Sequence, residues 1–113
     1  MRYVFKAEFF KALAHPLRIQ ILDALRAGPI SVGELRERLG VEQSTLSQQL
    51  AVLRSRNFVR TQRAGTTIRY EIGDPAIWQL LDSARVVFDN QLVNVRSVLE
   101  DLAREDVQGS KPA

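Results

Sequence analysis

The stretch SVGELRERLGVEQSTLSQQLAVLRSRNFVRTQRAGTTIRYEI, residues 31–72, constrains the fold more than any other part of the chain, because two helical patterns and a strand pattern follow one another within it. Ser31 is placed to cap a helix, with Glu34 three residues on as its capping-box partner, and Val32, Leu35 and Leu39 then recur on one face. Gly40 ends that helix. After the turn Gly40-Val41-Glu42 a second helix opens near Gln43, and its Leu46, Leu50 and Leu53, spaced by four and three, form an apolar stripe. Two β-rich runs, 58–63 and 67–72, then flank Ala64-Gly65-Thr66, which predicts a hairpin.

The face of the second helix opposite its leucines carries the functional signal. At about 100° per residue, Ser44, Gln48, Ala51 and Ser55 lie farthest from the stripe, with Thr45, Ser47 and Arg54 on the flanks, and none of these is a carboxylate. A solvent-facing helix in a chain with 26% charged residues would ordinarily show Glu and Lys there. A helix entering a DNA major groove instead needs short side chains for close approach, and hydroxyls or amides for phosphates and base edges. An ordinary polar face is the competing reading, and the hairpin shifts the balance. On it Val59, Ile68, Tyr70 and Ile72 are expected to face a core at alternate positions, leaving Arg60, Arg63 and Arg69 to project outward, with Thr66 and Thr67 near the tip. The expected fold class is mainly α with a small β-hairpin, a winged helix-turn-helix in the order α-α-α-α-β-β-α. Its expected contacts to double-stranded DNA are Ser44, Thr45, Ser47, Gln48, Gln49, Arg54, Arg63, Thr66, Thr67 and Arg69.

The remaining segments read as helices. Bulky apolar residues (Tyr3, Val4, Phe5, Phe9, Phe10, Leu13) mark a first helix, and Pro16 opens a second with the stripe Leu17, Ile21, Leu22 and Leu25, ended by Gly28-Pro29. After the hairpin, Asp74 caps a long helix with Pro75 in its first turn. Ile77, Leu80, Leu81, Ala84, Phe88, Leu92, Val95, Leu99 and Leu102 recur along it by threes and fours to about Arg104. A single domain over 1–104 with no interior boundary is expected, followed by a tail, 105–113, without periodicity. So long a stripe cannot be buried within so small a chain. A homodimer through the terminal helices is expected, with Val4, Phe5, Phe9, Leu81, Phe88, Leu92, Val95 and Leu99 at its interface and two recognition helices one DNA turn apart.

Read together, Phe10-Lys11-Ala12-Leu13-Ala14-His15-Pro16-Leu17-Arg18-Ile19-Gln20-Ile21-Leu22, Ser31-Val32-Gly33-Glu34-Leu35, the run from Ser44 to Arg54 and the wing through Tyr70 give the chain its resemblance to the arsenic-repressor (ArsR) family of bacterial winged-helix regulators. The resemblance covers most of the chain, and its motifs occur in order. It implies a homodimeric transcriptional regulator whose second motif helix reads DNA, and a repressor on a palindromic operator is expected, with activation the open alternative. The alternative is a winged-helix interaction module whose signal comes from a second regulatory protein.

Composition bears chiefly on what is excluded. With 113 residues, 45% of them apolar, the chain is sized for one modest core, and a formal charge of +3 is permissive for nucleic acid without deciding the matter. No apolar run approaches the ~20 residues of a membrane span, and charges interrupt the N-terminus, so a cytoplasmic protein is expected. One histidine, no cysteine and no Gly-rich phosphate loop leave no catalytic constellation, and an enzyme is not expected.

The metal sites that the resemblance would suggest are depleted. One familiar family pattern, aligned on Asp74, falls on Asp74, Ala76, Val87 and Asn90; the cysteine-pair site falls near Leu35-Arg36-Glu37 and has no thiol. No cofactor is expected beyond a weakly bound divalent metal. Its candidate ligands are Asp82 and Asp89, for which a solvated face is the competing reading, and His15, which is better explained as a hydrogen-bonding residue at a helix junction.

Overall fold

Most helix ends of the molecule lie where the sequence supplies a group for an unpaired backbone amide or carbonyl. The computed structural model describes the backbone of residues 2–109 and the side chains of residues 2–105. Helix α1 (Arg2–Leu13) gives way to α2 (Pro16–Ala24) at His15, whose extended backbone (φ −148°) lets its own Nδ1 accept from the Leu17 amide at 3.2 Å. Pro16 takes the first helical position, where no N–H is needed. A 3₁₀ turn (Leu25–Ala27) prolongs α2 and stops at Gly28 (φ 117°). Helix α3 (Val32–Leu39) starts on Ser31, whose Oγ accepts from the Glu34 amide (3.2 Å) and donates to the Glu34 carboxylate (3.4 Å). It ends on left-handed Gly40. Helix α4 (Gln43–Ser55) closes in a Schellman turn: Asn57, at φ 61°, donates to the Arg54 carbonyl at 3.0 Å, and the Phe58 amide reaches back to Leu53 at 2.9 Å.

The core lies where α2, α3 and α4 meet. Ile21, Leu22 and Leu25 from α2 and its 3₁₀ extension, Leu35 from α3, and Leu46, Leu50 and Leu53 from α4 are fully buried; Ala12, Leu13, Leu17, Ile30, Phe58, Val59 and Ile77 are buried around them. Each such side chain contributes about 1.5–3 kcal/mol over its exposed state. The stripe read from sequence is therefore what fixes α4 and turns its opposite face outward. Helix α1 buries only Ala12 and Leu13; Phe9 is half-buried, edge-to-face against Phe58 with ring centroids 5.1 Å apart.

Two strands were expected, and three are present. Ile30–Ser31 forms a strand, β1, that pairs antiparallel with β3 (Thr67–Ile72), which pairs in turn with β2 (Val59–Ala64), giving the order β1-β3-β2. A two-residue strand has no periodicity to detect, and its second residue, Ser31, is itself the cap of α3. Its effect is to make β3 the central strand, with Ile30 opposite Tyr70 and Ser31 opposite Arg69. The β2–β3 loop is the two-residue turn Gly65-Thr66, with positive φ at the glycine alone (66°), as the Gly-X form of a tight hairpin requires.

Helix α5 (Ala76–Gly109) begins as expected, with Asp74 Oδ1 accepting from the Ala76 amide at 2.9 Å. The Trp78 indole N–H donates to the Leu22 carbonyl near the end of α2 (2.8 Å), and the Arg26 guanidinium lies over the indole ring at 5.8 Å. Contacts divide the chain at this point. One compact unit ends at Trp78, and the second, from Gln79 onward, is the remainder of α5 among the described residues. Helical backbone continues past the expected end at Arg104 to Gly109, through the first part of the expected tail; residues 110–113 lie outside the described residues. No helix among the described residues is long and apolar enough to cross a membrane.

Candidate nucleic-acid interface

Because Leu46, Leu50 and Leu53 hold α4 against the core, Ser44, Thr45, Ser47, Gln48, Ala51 and Arg54 stand exposed together on its other side. Ser47, Ala51, Arg54 and Ser55 form one wall of an open cleft of about 420 Å³, and Tyr70 from β3 forms the other. Helix α4 and the β2–β3 hairpin thus share one concavity lined by hydroxyls, a guanidinium and a phenol, groups suited to phosphate and base-edge hydrogen bonds. Tyr70, expected in the core, is half-buried and contributes to the cleft. Its place opposite Thr61 on a strand only six residues long, largely outside the core, is the signal that could have assigned it.

Strand register corrects the expected wing. Val59 pairs with Ile72, Thr61 with Tyr70 and Arg63 with Ile68, so these six side chains share one face; Arg60, Gln62, Glu71 and Arg69 share the other. Arg63 and Arg60 therefore point to opposite faces, since an odd spacing on a strand reverses the side chain. Ile68, expected inward, is 46% exposed, because the hairpin extends past the core before it turns. Thr66, Thr67, Arg63 and Arg69 are all exposed. Arg60 is engaged locally: its Nε donates to Glu71 Oε1 at 2.8 Å, and Gln62 Nε2 donates to the other carboxylate oxygen at 2.8 Å.

Gln49 is the one expected α4 contact that the structure turns inward. It lies only about 60° around the helix from Leu46 at ~100° per residue, and it is half-buried, its Oε1 accepting from Arg18 Nε at 2.7 Å. Arg18 also donates through Nη1 to the Ala12 carbonyl at 2.9 Å, a link that sequence reading missed.

The expected interface residues of the terminal helices are largely solvent-facing: Val4 and Phe5 (75% exposed) on α1, and Phe88, Leu92, Val95 and Leu99 (60% exposed) on α5, with Phe9 and Leu81 half-buried. Among the described residues, no three His, Asp or Glu side chains gather into a group that would hold a metal ion. Asp82 and Asp89 are exposed on α5, and His15 Nδ1 is engaged in the α2 cap.

Residues 13–62 match a family described as a helix-turn-helix domain. The chain is 50% identical over 101 residues to the HTH-type transcriptional regulator Rv0081 of Mycobacterium tuberculosis, covering 88% of this chain and 89% of the relative. The crystal structure of Rv0081 superposes with a TM-score of 0.76 at 48% identity, over 81% of this chain and 93% of that one. A biofilm growth-associated repressor of Xylella fastidiosa is 39% identical over 85 residues, 75% of each chain. The solution structure of Mb0332 from Mycobacterium bovis, described as a homodimeric winged helix-turn-helix DNA-binding domain of a possible ArsR-family regulator, matches with a TM-score of 0.68 at 35% identity, over 76% of this chain and 80% of that one.

Proposed function

The chain belongs to the ArsR family of winged helix-turn-helix transcriptional regulators, and on that premise we propose that it acts in the cytoplasm as a homodimer on a palindromic operator. Its task is regulation of transcription by binding DNA, not catalysis. The observation that carries the reading is the carboxylate-free outer face of α4 opening onto the same cleft as the wing. Ser44 and Gln48 reach base edges, while Arg54, Arg63 and Arg69 hold the backbone.

The dimer is supported by the pattern on α5. Leu81, Phe88, Val95 and Leu102 repeat every seven residues, and Leu92 and Leu99 fall between them, four after and three before their neighbours. That is an a/d seam, which is complementary to a second copy of itself. From Phe88 to Leu102 every member is at least half exposed in the single chain, a continuous apolar strip that water disfavours.

A metal is not the expected signal. One histidine and no cysteine leave only oxygen-rich ligation, for which Asp82 and Asp89 are candidates, and such a site binds weakly. Selection of duplexes from a random pool by the purified protein, followed by light scattering with and without the recovered duplex, tests the proposal. A two-fold symmetric consensus bound by a dimer is expected; a monomer that retains no sequence in preference to others refutes it. If the consensus emerges but no small effector alters binding, the signal falls to a second regulatory protein.

A further inference from the structure

Arg18 connects three helices that the core alone would leave free to slide on one another. It stands in the first turn of α2, and its guanidinium fork divides between two neighbours: Nη1 donates to the Ala12 carbonyl of α1 at 2.9 Å, and Nε donates to Gln49 Oε1 of α4 at 2.7 Å. Ala12 lies in the last turn of α1, where carbonyls have no partner within the helix and the helix dipole attracts a cation. Gln49 sits in the middle of α4, between Gln48 on the exposed face and Leu50 in the core. The buried contacts between these helices are mainly aliphatic and non-directional, so they set the distance between helices far better than the roll of one on another; the other links from α1, the Arg56–Glu8 ion pair at 3.8 Å and the Phe9–Phe58 ring contact, lie at and beyond the C-terminal end of α4. A charged, directional hydrogen bond of 2.7 Å fixes roll.

We propose that Arg18 is a positioning residue for operator reading: without touching DNA, it sets the rotation of the recognition helix α4 relative to the end of α1 and thereby determines how the base-reading side chains are presented. The inference rests on the reading of α4 as the recognition helix. Since α1 is one of the proposed dimer helices, the same fork gives the dimer interface a direct mechanical hold on the DNA-reading face. Lysine cannot replace it, because one ammonium on a flexible stem lacks the planar fork that meets both acceptors.

The test compares wild type, Arg18→Lys, Gln49→Met and the double variant. Each is titrated at several salt concentrations against the duplex recovered by selection and against a scrambled duplex of equal length. Each single variant should lose about tenfold in affinity for the selected duplex, equivalent to about 1.4 kcal/mol. Affinity for the scrambled duplex and the salt slope should stay as in wild type, because no phosphate contact is removed. The double variant should be no worse than either single one, since both changes remove the same bond. An equal loss on both duplexes for Arg18→Lys would overturn the proposal and make Arg18 a phosphate ligand. Additive losses would overturn it by making Gln49 an independent base contact. Should Arg18→Lys fold poorly, Arg18→Gln takes its place in every comparison: selective loss that is not additive with Gln49→Met supports the proposal, and an unchanged ratio or an additive loss overturns it. Failure of the proposed function would look different, since wild type itself would then prefer no duplex.

Discussion

Gly73 is the position at which a single methyl group should do the most damage, and the reason is space instead of dihedral freedom, since its φ is not among the positive ones. A Cβ there would overlap the Asn57 carbonyl oxygen and lie 3.1 Å from the Asn57 carbonyl carbon and 3.2 Å from that of Phe58, against a comfortable carbon–carbon separation of about 3.5–4.0 Å. None of these atoms can swing aside. The Asn57 and Phe58 amides are the two donors of the turn that ends α4, and the Gly73 amide is itself bonded to the Phe58 carbonyl at 2.8 Å. Relief requires a backbone shift, costing about 1–3 kcal/mol as overpacking, together with a weakened hydrogen bond worth about 1 kcal/mol. The sum, about 3 kcal/mol, corresponds to a fall in Tm of about 10 °C for a domain of this size. Thermal unfolding followed by circular dichroism reads it directly. Gly33→Ala is the control: it sits in α3 with only Ser31 Oγ nearby, at 3.9 Å, and should gain about 0.5–1 kcal/mol from helix propensity. A Gly73→Ala protein melting within about 2 °C of wild type, on that same scale, would refute the steric argument.

Leu92→Asp or Leu99→Asp should convert the dimer to monomer in light scattering at micromolar protein, because each places an unpaired carboxylate in the proposed seam; a dimer that survives both changes excludes α5 as its interface. Arg63→Ala should weaken binding to every duplex and lower the salt slope by about 1 for each phosphate contact removed, whereas Gln48→Ala should weaken chiefly the selected one; equal losses in both would reverse the assigned roles. His15→Ala should lower stability by about 1 kcal/mol through loss of the α2 cap, read as a shift in denaturant midpoint. Calorimetry with zinc, nickel and cobalt should yield only weak binding, and a nanomolar site that also changes operator affinity would overturn the ligand argument.

How far sequence alone reached depended on whether the determinant was local. The stops at Gly40 and Gly28, the caps at Ser31 and Asp74, the hydrogen-bonding His15 at the α1–α2 junction and the stripe on α4 are each set by residues within a turn of one another, and the structure has them where the sequence put them. Pairing across the sheet is a different problem. Nothing in Ile30–Ser31 itself announces a strand, because its partner lies about forty residues on, at Arg69 and Tyr70. Grouping Arg60 with Arg63 was an error of parity that the period of two could already have exposed. Gln49 erred by angle: it lies at the boundary between the core stripe and the open face, where the presence of Arg18 decides the outcome, and Arg18 is 31 residues away.

These corrections also sharpen the electrostatics of the DNA-binding face. A formal charge of +3 spread over the chain is too small to steer DNA by itself, so what matters is which arginines are free of carboxylate partners near the cleft. Glu71, at the base of the wing, binds both Arg60 and Gln62, and so takes up one cation and fixes the outer face of β2 against β3. That leaves the positive field to Arg54 at the end of α4 and to Arg63 and Arg69 on the wing. Arg63 and Arg69 lie on opposite faces of the hairpin by strand parity, so a phosphate backbone running past the wing's edge meets a cation on either side of it. On the proposed reading the wing grips the backbone while Arg60 and Glu71 keep its own shape, and discrimination between sequences is left to the small hydroxyl and amide side chains of α4.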